Sequence, residues 1–193
     1  MAVNVAISGF GRIGRLVLRS IIESKRKDIN VVAINDLAPV DTNAFLLAND
    51  TVHGPLNEKI SVKKNKMTIG RKTISVLNER DPQKLPWKKM KIDVALECTG
   101  LFTSKEKASM HIKAGAKKVL VSAPCSEADK TIVYGVNEQE ITRNDLVVSN
   151  ASCTTNCLAP VVKVLHEKFG IVHGYMTTIH AFTGDQSVLD TFH

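Results

Sequence analysis

The sequence predicts an α/β fold: a mostly parallel sheet with helices on both faces. Three observations carry this. Short apolar runs alternate with segments of helical spacing along most of the chain. A glycine-rich turn joins the first run to the first helical segment, and an acidic residue closes the second run.

Val3–Ser8 (VNVAIS) reads as a strand. After the glycines, Ile13, Leu16, Val17 and Ile21 recur at helical spacing to about Glu23. Residues 31–35 (VVAIN) form a second strand ending at Asp36, and 41–48 a short helix. Residues 60–77 break the rhythm. There ISVKK, KMTIG and KTISVL alternate apolar and polar residues around turn-like KN and GR pairs, which predicts short antiparallel strands. The βα alternation then returns, with strands at 92–97, 118–124, 131–136 and 146–149 and a helix at 104–114. A last helix is expected from about Ser152 to Lys168, with a kink or irregular turn at Pro160. Residues 171–182 read as extended.

The bulk numbers are those of a soluble globular protein: 193 residues, 44% hydrophobic and 23% charged. No apolar run approaches the roughly 18 residues of a membrane helix. The opening MAVNVAISGFG lacks the basic and apolar regions of a signal peptide. A cytoplasmic protein without a membrane partner is expected. Net charge is +7, and residues 59–91 hold eleven Lys or Arg against two acids, Glu79 and Asp81. Such asymmetry fits either an anion-binding surface or a solvated sheet face. That stretch has Trp87 as its one aromatic residue, so no base-stacking platform is suggested and a nucleic-acid partner is not favoured.

Gly9-Phe10-Gly11-Arg12-Ile13-Gly14 is a G-x-G-x-x-G motif between a predicted strand and a predicted helix, the context it requires. Gly9 permits the tight turn, Gly11 lets backbone approach a pyrophosphate, and Gly14 lets the helix pack on the sheet. The helix amino terminus supplies free N–H groups to the phosphates. Asp36, 22 residues after Gly14, stands where a carboxylate binds the ribose hydroxyls and repels a 2′-phosphate. A Rossmann-type site for NAD rather than NADP follows.

None of the four cysteines, Cys98, Cys125, Cys153 and Cys157, forms a C-x-x-C pair, and no His cluster has zinc spacing, so no metal is expected. Cys153 sits in SNASCTTNC between a strand and a helix, where the helix amino terminus stabilises a thiolate. Sequence distance alone does not join it to His180. His53, His111, His166 and His173 read as structural.

GFGRIGR, SNASCTTNC and TTIHAFTGDQ together resemble the phosphorylating, NAD-dependent glyceraldehyde-3-phosphate dehydrogenases, and the similarity runs from Val3 to His193. The resemblance implies residues 1–150 as the NAD-binding domain and 151–193 as the start of an α+β catalytic domain. It implies Cys153 as nucleophile and His180 as its base. It implies Arg12 and Ile13 at the cofactor pyrophosphate, Arg80 near the adenine, Phe102 beside that ring, and Thr99 and Ser122 toward the nicotinamide. Ser152 and Thr154 would bind inorganic phosphate, and Thr183 the phosphate of glyceraldehyde 3-phosphate. Family members run to about 330 residues, two domains' worth, and form homotetramers. This chain is therefore expected to be the amino-terminal part, with an exposed edge along 171–182 and little or no activity by itself. The neighbouring reading within the family is an erythrose-4-phosphate dehydrogenase. Outside it, the basic stretch would suit a non-catalytic NAD- or RNA-binding fragment. Ser8 replaces the usual Asn of I-N-G-F-G.

Overall fold

Parallel pairing dominates the computed structural model, which describes residues 2–181 and Thr183. β1 (Val3–Ser8), α1 (Arg12–Glu23) and β2 (Ile29–Asn35) form the opening βαβ unit, followed by α2 (Val40–Ala48). A two-residue ladder joins β3 (Asn49–Asp50) to β4 (Gly54–Pro55). Then come β5 (Ile60–Lys63), β6 (Lys66–Ile69) and β7 (Lys72–Leu77), an antiparallel meander as the alternation predicts. β8 (Val94–Glu97), α3 (Lys105–Ala108), α4 (Met110–Lys113), β9 (Lys118–Val121), β10 (Lys130–Thr131), β11 (Val147–Ser149) and α5 (Cys153–Phe169) complete the chain. The large sheet has the order β10-β11-β9-β8-β1-β2-β7-β6-β5. All its pairs are parallel except β5–β6 and β6–β7.

Period-two alternation sorts the core into two faces. Ile7 and Ile34 point to the α1–α2 side, with Leu18, Ala44 and Leu47. Ala6 and Ala33 point the other way. Ala6 is in register with both Ala33 and Ala95, so three methyl groups lie abreast across β2, β1 and β8. That shallow floor accommodates Trp87, which is fully buried with Leu85 and Ile92. The eleven cationic side chains of the 59–91 stretch are all exposed, on the meander and the turns after it.

Four sequence expectations change. The 104–114 helix is two single turns, because the Ser109 hydroxyl donates to the Lys105 carbonyl at 2.6 Å and competes with the helical ladder. The 131–136 strand is reduced to Lys130–Thr131. The Val133 N–H instead donates to the Asn137 side chain at 2.9 Å, which turns the chain. α5 continues through Pro160 with no irregular turn, since proline's fixed φ is helical and only one ladder bond is lost. Residues 171–181 form no strand, for no strand among the described residues pairs with them. Residues 182 and 184–193 of the expected catalytic segment lie outside the described residues. None of the α5 residues is buried, and Val161, Val164, Leu165 and Phe169 face solvent. No helix among the described residues is long and apolar enough to cross a membrane.

Candidate active site

The glycine motif fits a dinucleotide on geometry. Gly9 has φ +87°, and a Cβ there would lie 2.6 Å from the Thr99 nitrogen. A Cβ on Gly14 would lie 2.1 Å from the Gly9 carbonyl oxygen. A Cβ on Gly11 would meet nothing within 4 Å, so the space over that residue is open to a ligand. Gly11 caps α1 without a side-chain hydrogen bond, and the first turn holds no acid, so the positive end of the helix dipole is not neutralised. Asp36 lies beside this turn: its Oδ2 accepts from the Phe10 N–H at 2.7 Å and its Oδ1 from the Ala38 N–H at 2.8 Å. The carboxylate thus fixes the turn and keeps acceptor capacity for ribose hydroxyls. Arg12 is exposed and pairs with Asp50 at 2.9 Å. The N–H groups of Val52 and His53 and that guanidinium hold the Asp50 carboxyl at about 2.

Ile13 and Ser122 meet Cys153 in one cleft of about 480 Å³, together with Val17, Leu96, Cys98 and Asn150. Arg80 is exposed just after Glu79, whose backbone is clamped by the Asn35 side chain at 2.9 Å in both directions. Thr99 donates both its N–H and its hydroxyl to Glu97. Phe102 is half-buried, edge-on to His111 at 6.4 Å.

Cys153 and His180 meet: Sγ lies 3.1 Å from Nε2. His180 Nδ1 donates to the Ala181 carbonyl at 2.5 Å, which leaves Nε2 as the acceptor for the thiol proton. Cys153 opens α5, at the end of the helix that favours an anion. The hydrogen bond between Cys153 and His180 holds the thiol below its ordinary value, because the ring that takes the proton then donates to the thiolate, assisted by the Thr154 hydroxyl and N–H. Burial pushes the Cys98 thiol the other way, up to about 11. Iodoacetamide at neutral pH should therefore label Cys153 well before Cys98, read by peptide mass spectrometry. His180→Ala should move the labelling midpoint of Cys153 to higher pH. Labelling of Cys98 first, or an unmoved midpoint, contradicts the pairing.

Ser152 is the helix cap, its hydroxyl accepting from the Thr155 N–H at 2.9 Å. Thr154 faces the sulfur, and Thr183 is exposed beyond His180. Sequence reasoning missed the parts that hold the cysteine turn. Asn156 donates to the carbonyls of Asn150 at 2.7 Å and Ser152 at 2.9 Å. Ala151, between them, is buried with φ +57°, a left-handed backbone that a non-glycine residue adopts at some cost. The signal for Asn156 was its place in SNASCTTNC, one helical turn after the cysteine. Nothing in the sequence marks Ala151.

A Rossmann-type sheet, with a thiol–imidazole pair at a cleft shared with the glycine helix, defines a protein of the dinucleotide-binding class. The chain belongs to the glyceraldehyde-3-phosphate dehydrogenase family. Residues 3–105 match the family model "Glyceraldehyde 3-phosphate dehydrogenase, NAD binding domain" and residues 152–193 match "Glyceraldehyde 3-phosphate dehydrogenase, C-terminal domain". Over all 193 residues the chain is 61% identical to the glyceraldehyde-3-phosphate dehydrogenase of Xanthobacter flavus and covers 58% of it. It is 60% identical to that of Cereibacter sphaeroides, covering 57%. To that of Thermotoga maritima it is 52% identical over 190 residues, 98% of this chain and 57% of the relative. The chain thus spans a little over half the length of these relatives.

Proposed function

We propose that this chain belongs to an enzyme that oxidises glyceraldehyde 3-phosphate to 1,3-bisphosphoglycerate, with NAD as oxidant and inorganic phosphate as acyl acceptor. The observation that carries the reading is the 3.1 Å contact between Cys153 and His180 at a cleft shared with the glycine helix. His180 Nε2 takes the thiol proton, and the sulfur adds to the aldehyde carbon. The protonated ring returns its proton to the new oxygen, giving a hemithioacetal on Cys153. His180 then removes that hydroxyl proton as the C–H bond breaks and the carbon becomes a thioester carbonyl. NAD, when bound, supplies the acceptor for the hydride. Thr154 and Ser152, at the head of α5, lie where an incoming phosphate is held by hydroxyls and the helix dipole. Phosphate attacks the thioester carbon, the C–S bond breaks, and the thiolate is restored.

Gly11, Arg12, Ile13 and Gly14 form the pyrophosphate cradle, and Asp36 selects the unphosphorylated ribose. Residues 1–150 act as the cofactor domain and 151–193 as the opening of the catalytic domain. Thr183 serves the substrate phosphate, in a cytoplasmic homotetramer. NADH absorbance with the triose and tetrose phosphates, each with and without inorganic phosphate, tests the reading. A preference for the tetrose, or turnover independent of phosphate, overturns it. Asp36→Ala should narrow the NAD/NADP ratio of kcat/KM by about tenfold. An unchanged ratio removes Asp36 from cofactor selection.

A further inference from the structure

Glu97, at the end of β8, is 1% exposed and lies outside the chemistry described above. Its two oxygens receive three donors. Oε2 faces His111 Nε2 at 2.9 Å, and Oε1 accepts from the Thr99 N–H at 2.7 Å and from the Thr99 hydroxyl. The direction of the His111 bond is set by chemistry. The indole N–H of Trp87 can only donate, and it points at His111 Nδ1 at 3.0 Å, so Nδ1 accepts and Nε2 carries the hydrogen given to Glu97. The Thr99 hydroxyl donates to Glu97 and accepts from the Leu101 N–H at 3.0 Å. Glu97 therefore accepts three times and donates nothing. His111 and Trp87 are fully buried as well.

This chain of bonds ends on the cofactor turn. The peptide that Glu97 holds, Cys98–Thr99, packs directly under Gly9: a Cβ on Gly9 would lie 2.6 Å from Thr99 N and 2.7 Å from Cys98 C. The Cys98 N–H also donates to the Ser8 carbonyl at 2.7 Å. His111 also meets the edge of Phe102 at 6.4 Å. We propose that Glu97, oriented by His111 and Trp87, is a positioning residue for the dinucleotide turn, fixing the Thr99 peptide on which Gly9 rests. The proposal rests on the reading of that turn as the NAD site.

Glu97→Gln is the informative change. Glutamine has one oxygen for three donors: with that oxygen toward Thr99 its NH2 meets the His111 Nε2–H, and with it toward His111 its NH2 meets the Thr99 N–H and hydroxyl, so in neither orientation is the His111–Glu97–Thr99 relay complete. Isothermal titration with NAD should show binding weakened by about tenfold, in line with a lost hydrogen bond. Hydrogen exchange by mass spectrometry, on the unliganded protein, should quicken at residues 8–12 and 98–102 and stay unchanged in β2 and β9. His111→Leu keeps apolar bulk and the Thr99 contacts but removes one donor. It should shift the same two segments in the same direction by less, and it decides the matter if Glu97→Gln does not fold. Unchanged exchange at 8–12, exchange rising alike across the whole sheet, or NAD affinity within twofold of the parent overturns the proposal. If the parent itself does not bind NAD, the dinucleotide reading fails, and local exchange at 8–12 still decides whether Glu97 positions the turn.

Discussion

In the full-length enzyme proposed above, Cys153→Ser should abolish phosphate-dependent oxidation of the aldehyde, by on the order of 10^4-fold or more in kcat/KM. Serine keeps the shape and the helix position but not the chemistry. His180 Nε2 is placed to take a proton from a group already held below its ordinary value by that contact and by Thr154. A hydroxyl ionises far less readily, so one imidazole at 3.1 Å leaves little alkoxide at neutral pH. An ester would also hold the acyl group more tightly than a thioester against attack by phosphate. NAD affinity should change far less than turnover, because the glycine turn and Asp36 remain intact. Calorimetry with NAD beside initial rates separates the two. Retained turnover within about tenfold of the parent refutes Cys153 as nucleophile.

Gly14→Ala should lower stability by about 3 kcal/mol, read as a fall in Tm of about 10 °C for a chain of this size. The added carbon would sit 2.1 Å from the Gly9 carbonyl oxygen and 3.0 Å from Ile7 Cγ2. Backbone cannot yield as a flexible side chain does, so α1 must lift from the sheet. Lifting it disturbs Leu18 and the core between β1 and β2. Gly11→Ala provides the contrast. A methyl group there meets nothing within 4 Å and stands in the space left for a ligand. Tm should stay within about 2 °C, while NAD binding weakens. Thermal melts and NAD titrations of both variants would show the two effects separated. A Gly14 variant as stable as the parent would show that the helix does not pack that closely.

The glycine motif, Asp36 and the meander were legible in the sequence because each is a local code. Period-two alternation, a G-x-G-x-x-G between strand and helix, and an acid at a strand end need no knowledge of what lies opposite. SNASCTTNC marked a cysteine at the head of a helix for the same reason, since a helix amino terminus is built from neighbours in sequence. The short-range errors, at Ser109 and Val133, came from side chains competing with the backbone ladder. Composition suggests that competition but does not weigh it.

What tertiary structure alone decided is every contact between distant segments. Only folding brings His180 within 3.1 Å of Cys153, although neither spacing nor residue type required it. It turned His111, read as one more structural histidine, into the link between Trp87 and Glu97. The alanines at 6, 33 and 95 acquire their meaning together, as the floor that accommodates an indole, once register sets them side by side. A sequence records which residues could bond. Which of them do depends on chain separations that only the packed sheet closes.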